Sequence, residues 1–156
     1  MKDKRKCAEA QMMIRKPAAE VFNAFIDPAI TKNFWFTKGS GKLEINKEAT
    51  WEWEMYNVFA TVIPKKILKD KEILFEWGNP PTTVEFIFKK LNSGFTYVTV
   101  TECGFNKTGE ELSAAIKDST GGFTTVLDGL KAFLEHGINL NLIEDKFPKE
   151  EIKHGY

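Results

Sequence analysis

The segment from Gly121 to Pro148 limits the possible folds of this chain more strongly than any other part of its sequence. Projected at about 100° per residue, its apolar side chains fall on one broad arc and its polar side chains on the other. We therefore predict one long amphipathic helix over this segment. The apolar arc holds Phe123, Val126, Leu127, Leu130, Phe133, Leu134 and Ile138, and the polar arc holds Asp128, Lys131, Glu135 and Asn139.

Three glycines interrupt this predicted helix. Gly122, Gly129 and Gly137 recur at seven- and eight-residue spacing, near one edge of the apolar arc. A glycine inside a helix costs about 1 kcal/mol relative to alanine, so the missing side chains need a reason. Either the helix backbone lies close against a sheet, or it lines a space that another molecule fills. Both readings predict that Gly129→Leu lowers stability or ligand binding.

Length and charge indicate a single globular domain over residues 1–156, with a core at about 4–148 and a tail at 149–156. A fold of this size can bury a sizeable core without covalent staples. Lys plus Arg and Asp plus Glu both number 22, which argues against a nucleic-acid partner. No apolar stretch has the length of a secretory signal or a membrane span, so we expect a cytoplasmic protein.

The two cysteines, Cys7 and Cys103, are too few and too far apart in sequence for a disulfide framework or a zinc site. We interpret both as free thiols that are buried or half-buried. A bridge stays possible at this point, because the two residues could lie on neighbouring strands.

The apolar period changes from 3.6 to 2 after Lys42, which indicates a change from helices to strands. Before that point we predict a strand over Lys4–Ile14 and short helices that start at Pro17 and Pro28. The order becomes strand, two helices, about six strands and a long helix, so the helix should lie across the concave face of an antiparallel meander. The later predicted strands are Trp51–Met55, Val58–Leu68, Ile73–Trp77, Val84–Phe88 and Phe95–Phe105.

Four sequence stretches together resemble the START-like superfamily, also called SRPBCC. They are PAAEVFNAFIDPAITKNFW, WEWEM, FEW and GGFTTVLDGLKAFLEHG, and the resemblance covers about residues 4–148. Within the superfamily the chain is most similar to bacterial relatives of the C-terminal domain of the activator of heat-shock protein 90 ATPase. One departure is Phe123, where relatives often carry tryptophan.

This resemblance implies an α+β helix-grip fold, in which a curved seven-stranded antiparallel sheet surrounds the long C-terminal helix and encloses a cavity. Members of the superfamily bind lipids, sterols, polyketides or other apolar molecules, and some use the cavity as an active site. Fold alone does not fix function. The eukaryotic activator also has a separate N-terminal domain, and the resemblance here extends only to the equivalent of its C-terminal domain.

Side chains that point from the sheet and the helix toward each other are the candidate ligand-binding residues. The alternative interpretation is that these side chains only pack against one another in the core. Ligand binding requires an unfilled volume between the sheet and the helix, typically about 300–1,000 Å³. The candidates are Trp51, Trp53, Met55, Phe75, Trp77, Phe86, Phe88, Val126, Gly129, Leu130, Phe133 and Gly137.

Strand glutamates are the abundant acid–base groups, and we expect them on a solvated outer face. Glu102 is the exception to watch, because the inward face of its strand is hard to assign. Desolvation inside a cavity would suit a carboxyl group to general-acid chemistry. The other strand glutamates are Glu52, Glu54, Glu72, Glu76 and Glu85.

Neither histidine is accompanied by a serine or cysteine in a recognised nucleophile motif. We place His136 at the surface or helix end and His154 in the tail. No motif predicts a catalytic residue, a metal site or a cofactor. The leading hypothesis is a small protein that binds an apolar or amphipathic molecule. A chaperone-associated interaction module, in stress response for example, is the alternative, and a cyclase- or hydrolase-like enzyme is the third.

Overall fold

The computed structural model describes residues 3–152, which form one curved antiparallel sheet around a long helix. The sheet has seven strands in the order β1-β7-β6-β5-β4-β3-β2, so only β1 departs from chain order. The strands are β1 (Ala8–Ile14), β2 (Lys38–Gly39), β3 (Ala49–Trp53), β4 (Val58–Leu68), β5 (Glu72–Trp77), β6 (Thr82–Lys90) and β7 (Thr96–Cys103).

Four helices complete the fold. They are α1 (Ala18–Ile26), α2 (Pro28–Thr31), α3 (Gly109–His136) and α4 (Leu142–Lys146). The two short helices follow β1 as predicted, and the Asp27 side chain caps α2 by accepting a hydrogen bond from the Ala29 backbone N–H at 3.0 Å. The core lies between the sheet and α3, where Leu127 and Leu130 are completely buried. The predicted helix-grip architecture is confirmed.

The long helix is displaced relative to the predicted Gly121–Pro148. It begins at Gly109 and ends at His136, because Gly137 takes a left-handed conformation at φ 66° and caps the helix. Ile138, predicted on the apolar arc, therefore lies outside the helix and is 50% exposed. At the other end, the glycine pair at 121 and 122 does not break the helix, because packing against the sheet outweighs the low helix propensity of glycine.

Strand ends also differ from the prediction. Residues 4–6 form a 3-10 turn before β1, and Met55 lies in a 3-10 turn after β3 rather than in the strand. The last strand ends at Cys103, because Gly104 has φ 88° and turns the chain away. Strand β2 was not predicted, because the sequence Gly39-Ser40-Gly41 interrupts the apolar pattern and is typical of a loop.

The interpretation of both cysteines as free thiols is wrong: Cys7 and Cys103 form a disulfide. Ala8 pairs with Glu102 in the sheet, so the two cysteines face each other one position further along, with Cα atoms 4.5 Å apart. This spacing lies in the range that a disulfide requires. The bridge joins the start of β1 to the end of β7 across a sequence separation of 96 residues.

Reduction of this disulfide is expected to lower the free energy of unfolding by about 2–4 kcal/mol, because the closed loop restricts the unfolded chain. Urea unfolding with and without reductant measures the change. In the Cys7→Ser/Cys103→Ser variant, reductant should have no effect. An unchanged wild-type midpoint under reductant would contradict the prediction. Disulfides are rare in the cytosol, so alkylation of protein taken from cells also reports the compartment in which it folds.

Glu135 fastens the C-terminal end of α3 to the end of β1. Its Oε2 accepts hydrogen bonds from the Arg15 backbone N–H at 2.8 Å and from Lys131 Nζ at 2.7 Å. Lys131 Nζ also donates to the Met13 carbonyl oxygen at 3.3 Å. Desolvation raises the pKa of Glu135, but the hydrogen bonds from Arg15 and Lys131 outweigh it and hold this pKa below the usual 4.5.

We expect Glu135→Gln to reduce stability by about 1 kcal/mol at neutral pH and to flatten its acid dependence. The folded-state pKa lies below the unfolded one, so the contribution of ionised Glu135 is present above 4.5 and disappears as pH falls through the folded-state value. Urea unfolding from pH 7 down to about pH 3 compares the two proteins. Parallel curves for variant and wild type would show that Glu135 has no such role.

Candidate functional site

A cavity of about 380 Å³ lies between the sheet and the N-terminal half of α3. Its volume falls in the range of small-molecule sites. The side of α3 that faces it is a stripe at helical spacing, formed by Ala115, Asp118, Ser119, Gly122 and Val126. The other lining residues are Trp35, Trp53, Trp77, Glu102, Phe105, Phe123, Ile143 and Phe147.

Aromatic rings form most of the cavity wall. The Phe123 ring contacts Trp35 edge-on, with centroids 5.7 Å apart, and also packs against Trp77 at 6.1 Å. Trp53 and Trp77 are only partly buried, so parts of their rings remain available to a bound molecule. The wall is therefore suited to apolar and aromatic groups.

One buried carboxylate interrupts this apolar wall. Glu102 is 7% exposed, and three neutral groups donate hydrogen bonds to it. Oε2 accepts from Trp77 Nε1 at 2.9 Å and from the Thr82 hydroxyl at 2.5 Å, while Oε1 accepts from the Ser119 hydroxyl at 2.7 Å. Within residues 3–152, no basic side chain lies within ion-pair distance of Glu102.

The expectation of a solvated outer face is wrong for two of the six strand glutamates. Glu102 faces inward because Val98, Val100 and Glu102 alternate on the buried face of β7. Glu72 is also buried, and Lys66 Nζ lies 3.1 Å from its carboxylate. The cavity thus holds an acidic group that alternation along β7 could have revealed.

The segment after α3 lies along the open mouth of the cavity. Ile143 and Phe147, on and just after α4, contribute to its lining. The Tyr56 hydroxyl holds this segment in place, because it lies 2.7 Å from the Phe147 carbonyl oxygen and 3.2 Å from that of Ile143.

Six of the twelve predicted site residues border empty space, and one of them, Phe88, lines a separate space between the start of α1 and the turn after β4. Trp53, Trp77 and Val126 line the main cavity. Met55 and Gly129 line a second space of only about 60 Å³, between the residues after α2 and the chain that leads into α4.

The other six predicted site residues lie elsewhere. Phe133 packs, partly buried, on the edge of the core, and Gly137 ends α3. Exposed His136 is the last residue of α3, and His154 lies outside the described residues. The remaining four are core side chains with no more than 2% exposure: Trp51, Phe75, Phe86 and Leu130.

Gly122 and Gly129, both within α3, serve different purposes. A Cβ atom added to Gly129 would lie 3.2 Å from both Cβ and the carbonyl oxygen of Phe34, so this glycine allows close packing. A Cβ at Gly122 would meet no atom within 4 Å, and Gly122 lies in the middle of the cavity stripe. The predicted close contact thus occurs at Gly129, although with the residues after α2 instead of the sheet, and the predicted open space occurs at Gly122.

The family described as Activator of Hsp90 ATPase homolog 1-like protein matches residues 15–135 of this chain. The chain belongs to this family. As a member of the Activator of Hsp90 ATPase homolog 1-like family, it shares a fold that occurs in ligand-binding and in polyketide cyclase- or aromatase-like proteins. No protein of curated function matches it significantly.

Solved structures agree with this assignment. The chain is 27% identical to protein SSP2350 from Staphylococcus saprophyticus, with a TM-score of 0.76 over 86% of this chain and 95% of that one. It is 16% identical to DynU16, a protein in the dynemicin biosynthetic locus (TM-score 0.73, 86% of this chain and 49% of that one). It is 18% identical to a dimeric Aha1 from Colwellia psychrerythraea (TM-score 0.68, 84% and 97%). The latter two likenesses show the fold.

Among the described residues no cluster of His, Cys, Asp and Glu is arranged to hold a metal ion. None of the helices described here is long and apolar enough to span a membrane. In this family member, the candidate site consists of the cavity itself and the hydrogen-bonded Glu102 inside it.

Proposed function

We propose that the protein binds an apolar or amphipathic small molecule in the cavity between α3 and the sheet. The observation that carries the proposal is a solvent-accessible cavity of about 380 Å³ with aromatic walls. A core packed only for stability leaves few voids larger than a water molecule. The mouth segment held by Tyr56 supports the proposal, because Ile143 and Phe147 add two apolar side chains to the cavity wall.

Tryptophan fluorescence offers a direct test, because Trp35, Trp53 and Trp77 all line the cavity. A screen of aromatic and aliphatic compounds should change this emission saturably. Native mass spectrometry of the purified protein should detect any molecule retained from the cell. Gly122→Leu, which places a side chain in the cavity, serves as the matched control and should not respond. Absence of binding by both methods would refute the proposal.

A second candidate function is interaction with a chaperone, and the family match over residues 15–135 favours it. The test is a pull-down with the Hsp90-type chaperone of the same organism, together with its ATPase rate. Complex formation or a changed rate supports the interaction. No complex and an unchanged rate would end the hypothesis.

Glu102 is the observation that favours the third candidate, an enzyme of the cyclase or hydrolase type. A buried carboxylate beside an apolar cavity can move a proton to or from a bound substrate. Three donors orient it, as a catalytic base requires. Turnover of a cavity ligand that Glu102→Gln abolishes, while binding persists, would distinguish an enzyme from a binding protein.

A further inference from the structure

The charged side chains that line the cavity have one sign. Glu102 and Asp118 are both acidic, and none of the described residues in the lining is Lys, Arg or His. Glu102 is buried, whereas Asp118 is exposed on the outer side of the α3 stripe. The cavity therefore presents negative charge at its buried end and again near its opening.

The polar groups around Glu102 have no hydrogen left to donate into the cavity. The Trp77 indole, the Thr82 hydroxyl and the Ser119 hydroxyl each carry a single hydrogen. All three are directed to the Glu102 carboxylate. Thr82 does not line the cavity, so what remains for a ligand is the second lone-pair position on Oε1 and the lone pair of the Ser119 hydroxyl. A polar group bound here must donate hydrogen bonds.

Aromatic rings surround this acceptor cluster. Six aromatic side chains line the cavity, and the indole of Trp77 both contacts Glu102 and packs against Phe123. The faces of such rings attract cations, most strongly when water is excluded. A carboxylate among aromatic rings is the chemistry that recognises an ammonium group.

We propose that the cavity selects a hydrophobic amine, with its protonated nitrogen at Glu102 and its apolar body against the aromatic wall. The inference rests on the function proposed above. An ammonium group supplies both the N–H donors and the positive charge that the cluster lacks. A fatty acid or other anion would place a second negative charge beside a buried carboxylate.

One basic side chain lies near the mouth. Lys146 Nζ is 5.6 Å from the Phe147 ring centroid and would lie 3.7 Å from a Cβ added to Gly121. Lys146 does not line the cavity, but it could hold an anionic head group at the opening. The experiment must therefore separate a cation at Glu102 from an anion at Lys146.

Three probes of one shape make this separation: 4-phenylbutylamine, 4-phenylbutan-1-ol and 4-phenylbutyrate, titrated at pH 7 with calorimetry and tryptophan fluorescence. We expect the amine to bind at least about tenfold more tightly than the acid, with the alcohol between them. Glu102→Gln keeps the shape of the side chain and should remove the preference of amine over alcohol. Lys146→Gln should leave the order unchanged.

Each result of the series has a separate meaning. Alcohol and amine of equal affinity in the wild type would overturn the inference while leaving the proposed function intact. Tightest binding by the acid, lost in Lys146→Gln, would overturn it in favour of an anion at the mouth. Failure of all three probes, and of the wider screen, would overturn the proposed function as well. The affinities of the three probes for the wild-type protein test the inference even if Glu102→Gln does not fold.

Discussion

Replacing Gly122 by leucine is expected to weaken ligand binding at least about tenfold without loss of stability. Gly122 lies between Ser119 and Val126 on the stripe of α3 that faces the cavity, and a Cβ atom there meets no neighbour within 4 Å. The new side chain would therefore occupy ligand space. Removing a glycine from a helix also contributes about 1 kcal/mol of helix propensity, so the melting temperature should stay constant or rise.

Gly129→Leu is the matched control, because it makes the same substitution seven residues along the same helix. Here the first added carbon already lies 3.2 Å from the Phe34 side chain and backbone. We expect overpacking to lower the free energy of unfolding by about 1–3 kcal/mol. Thermal unfolding and the ligand titration, applied to both variants, give the comparison. Loss of stability at Gly122, or unchanged binding there, would contradict the assignment of these two glycines.

Trp51→Ala is expected to cause the largest loss of stability, about 3–5 kcal/mol. The Trp51 ring is 2% exposed, stacks on Phe36 with centroids 4.8 Å apart and contacts Trp35 at 4.9 Å. It does not line the main cavity. Its removal would leave a void in the middle of the aromatic core.

Trp53→Ala provides the contrast, because Trp53 lies two residues further along β3, is only partly buried and lines the cavity. We expect a smaller loss of stability and a clear loss of affinity. Urea unfolding at equilibrium and calorimetric titration measure the two quantities separately. If Trp53→Ala destabilised the protein as strongly as Trp51→Ala, Trp53 would belong to the core.

Alternation of apolar and polar residues predicts most of the sheet correctly. The strand Val58–Leu68 has the predicted bounds, and the other boundary differences occur where local backbone geometry decides. Gly104 and Gly137 both end their elements in left-handed conformations. In sequence a glycine reads equally well as an interior or a terminal residue, so the position of α3 could not be fixed in advance.

The candidate site was harder to predict than the fold. Alternation identifies which face of a strand is buried, but not where the opposing surface leaves space. Phe75 and Trp77 are neighbours on one face of β5, yet Phe75 is core and Trp77 borders the cavity. The difference arises from α3, whose stripe carries small residues at Ala115, Ser119 and Gly122 and large ones further along.

The disulfide illustrates another limit. Sequence separation alone made a bridge between Cys7 and Cys103 look improbable, whereas the pairing of β1 with β7 places them opposite each other. The pairing of the first strand with the last is a property of the whole sheet, in which β1 lies at the edge beside β7. The residues of either strand alone do not predict this pairing.

The two halves of α3 give the protein a way to change what it recognises. Leu127 and Leu130 hold the second half in the core, while Ala115, Ser119 and Gly122 in the first half face the cavity. Substitutions at these three positions would reshape the cavity without disturbing the packing that stabilises the domain. Related proteins could thus diverge in ligand preference through a few changes on one helical stripe, with the same sheet and the same anchoring leucines underneath.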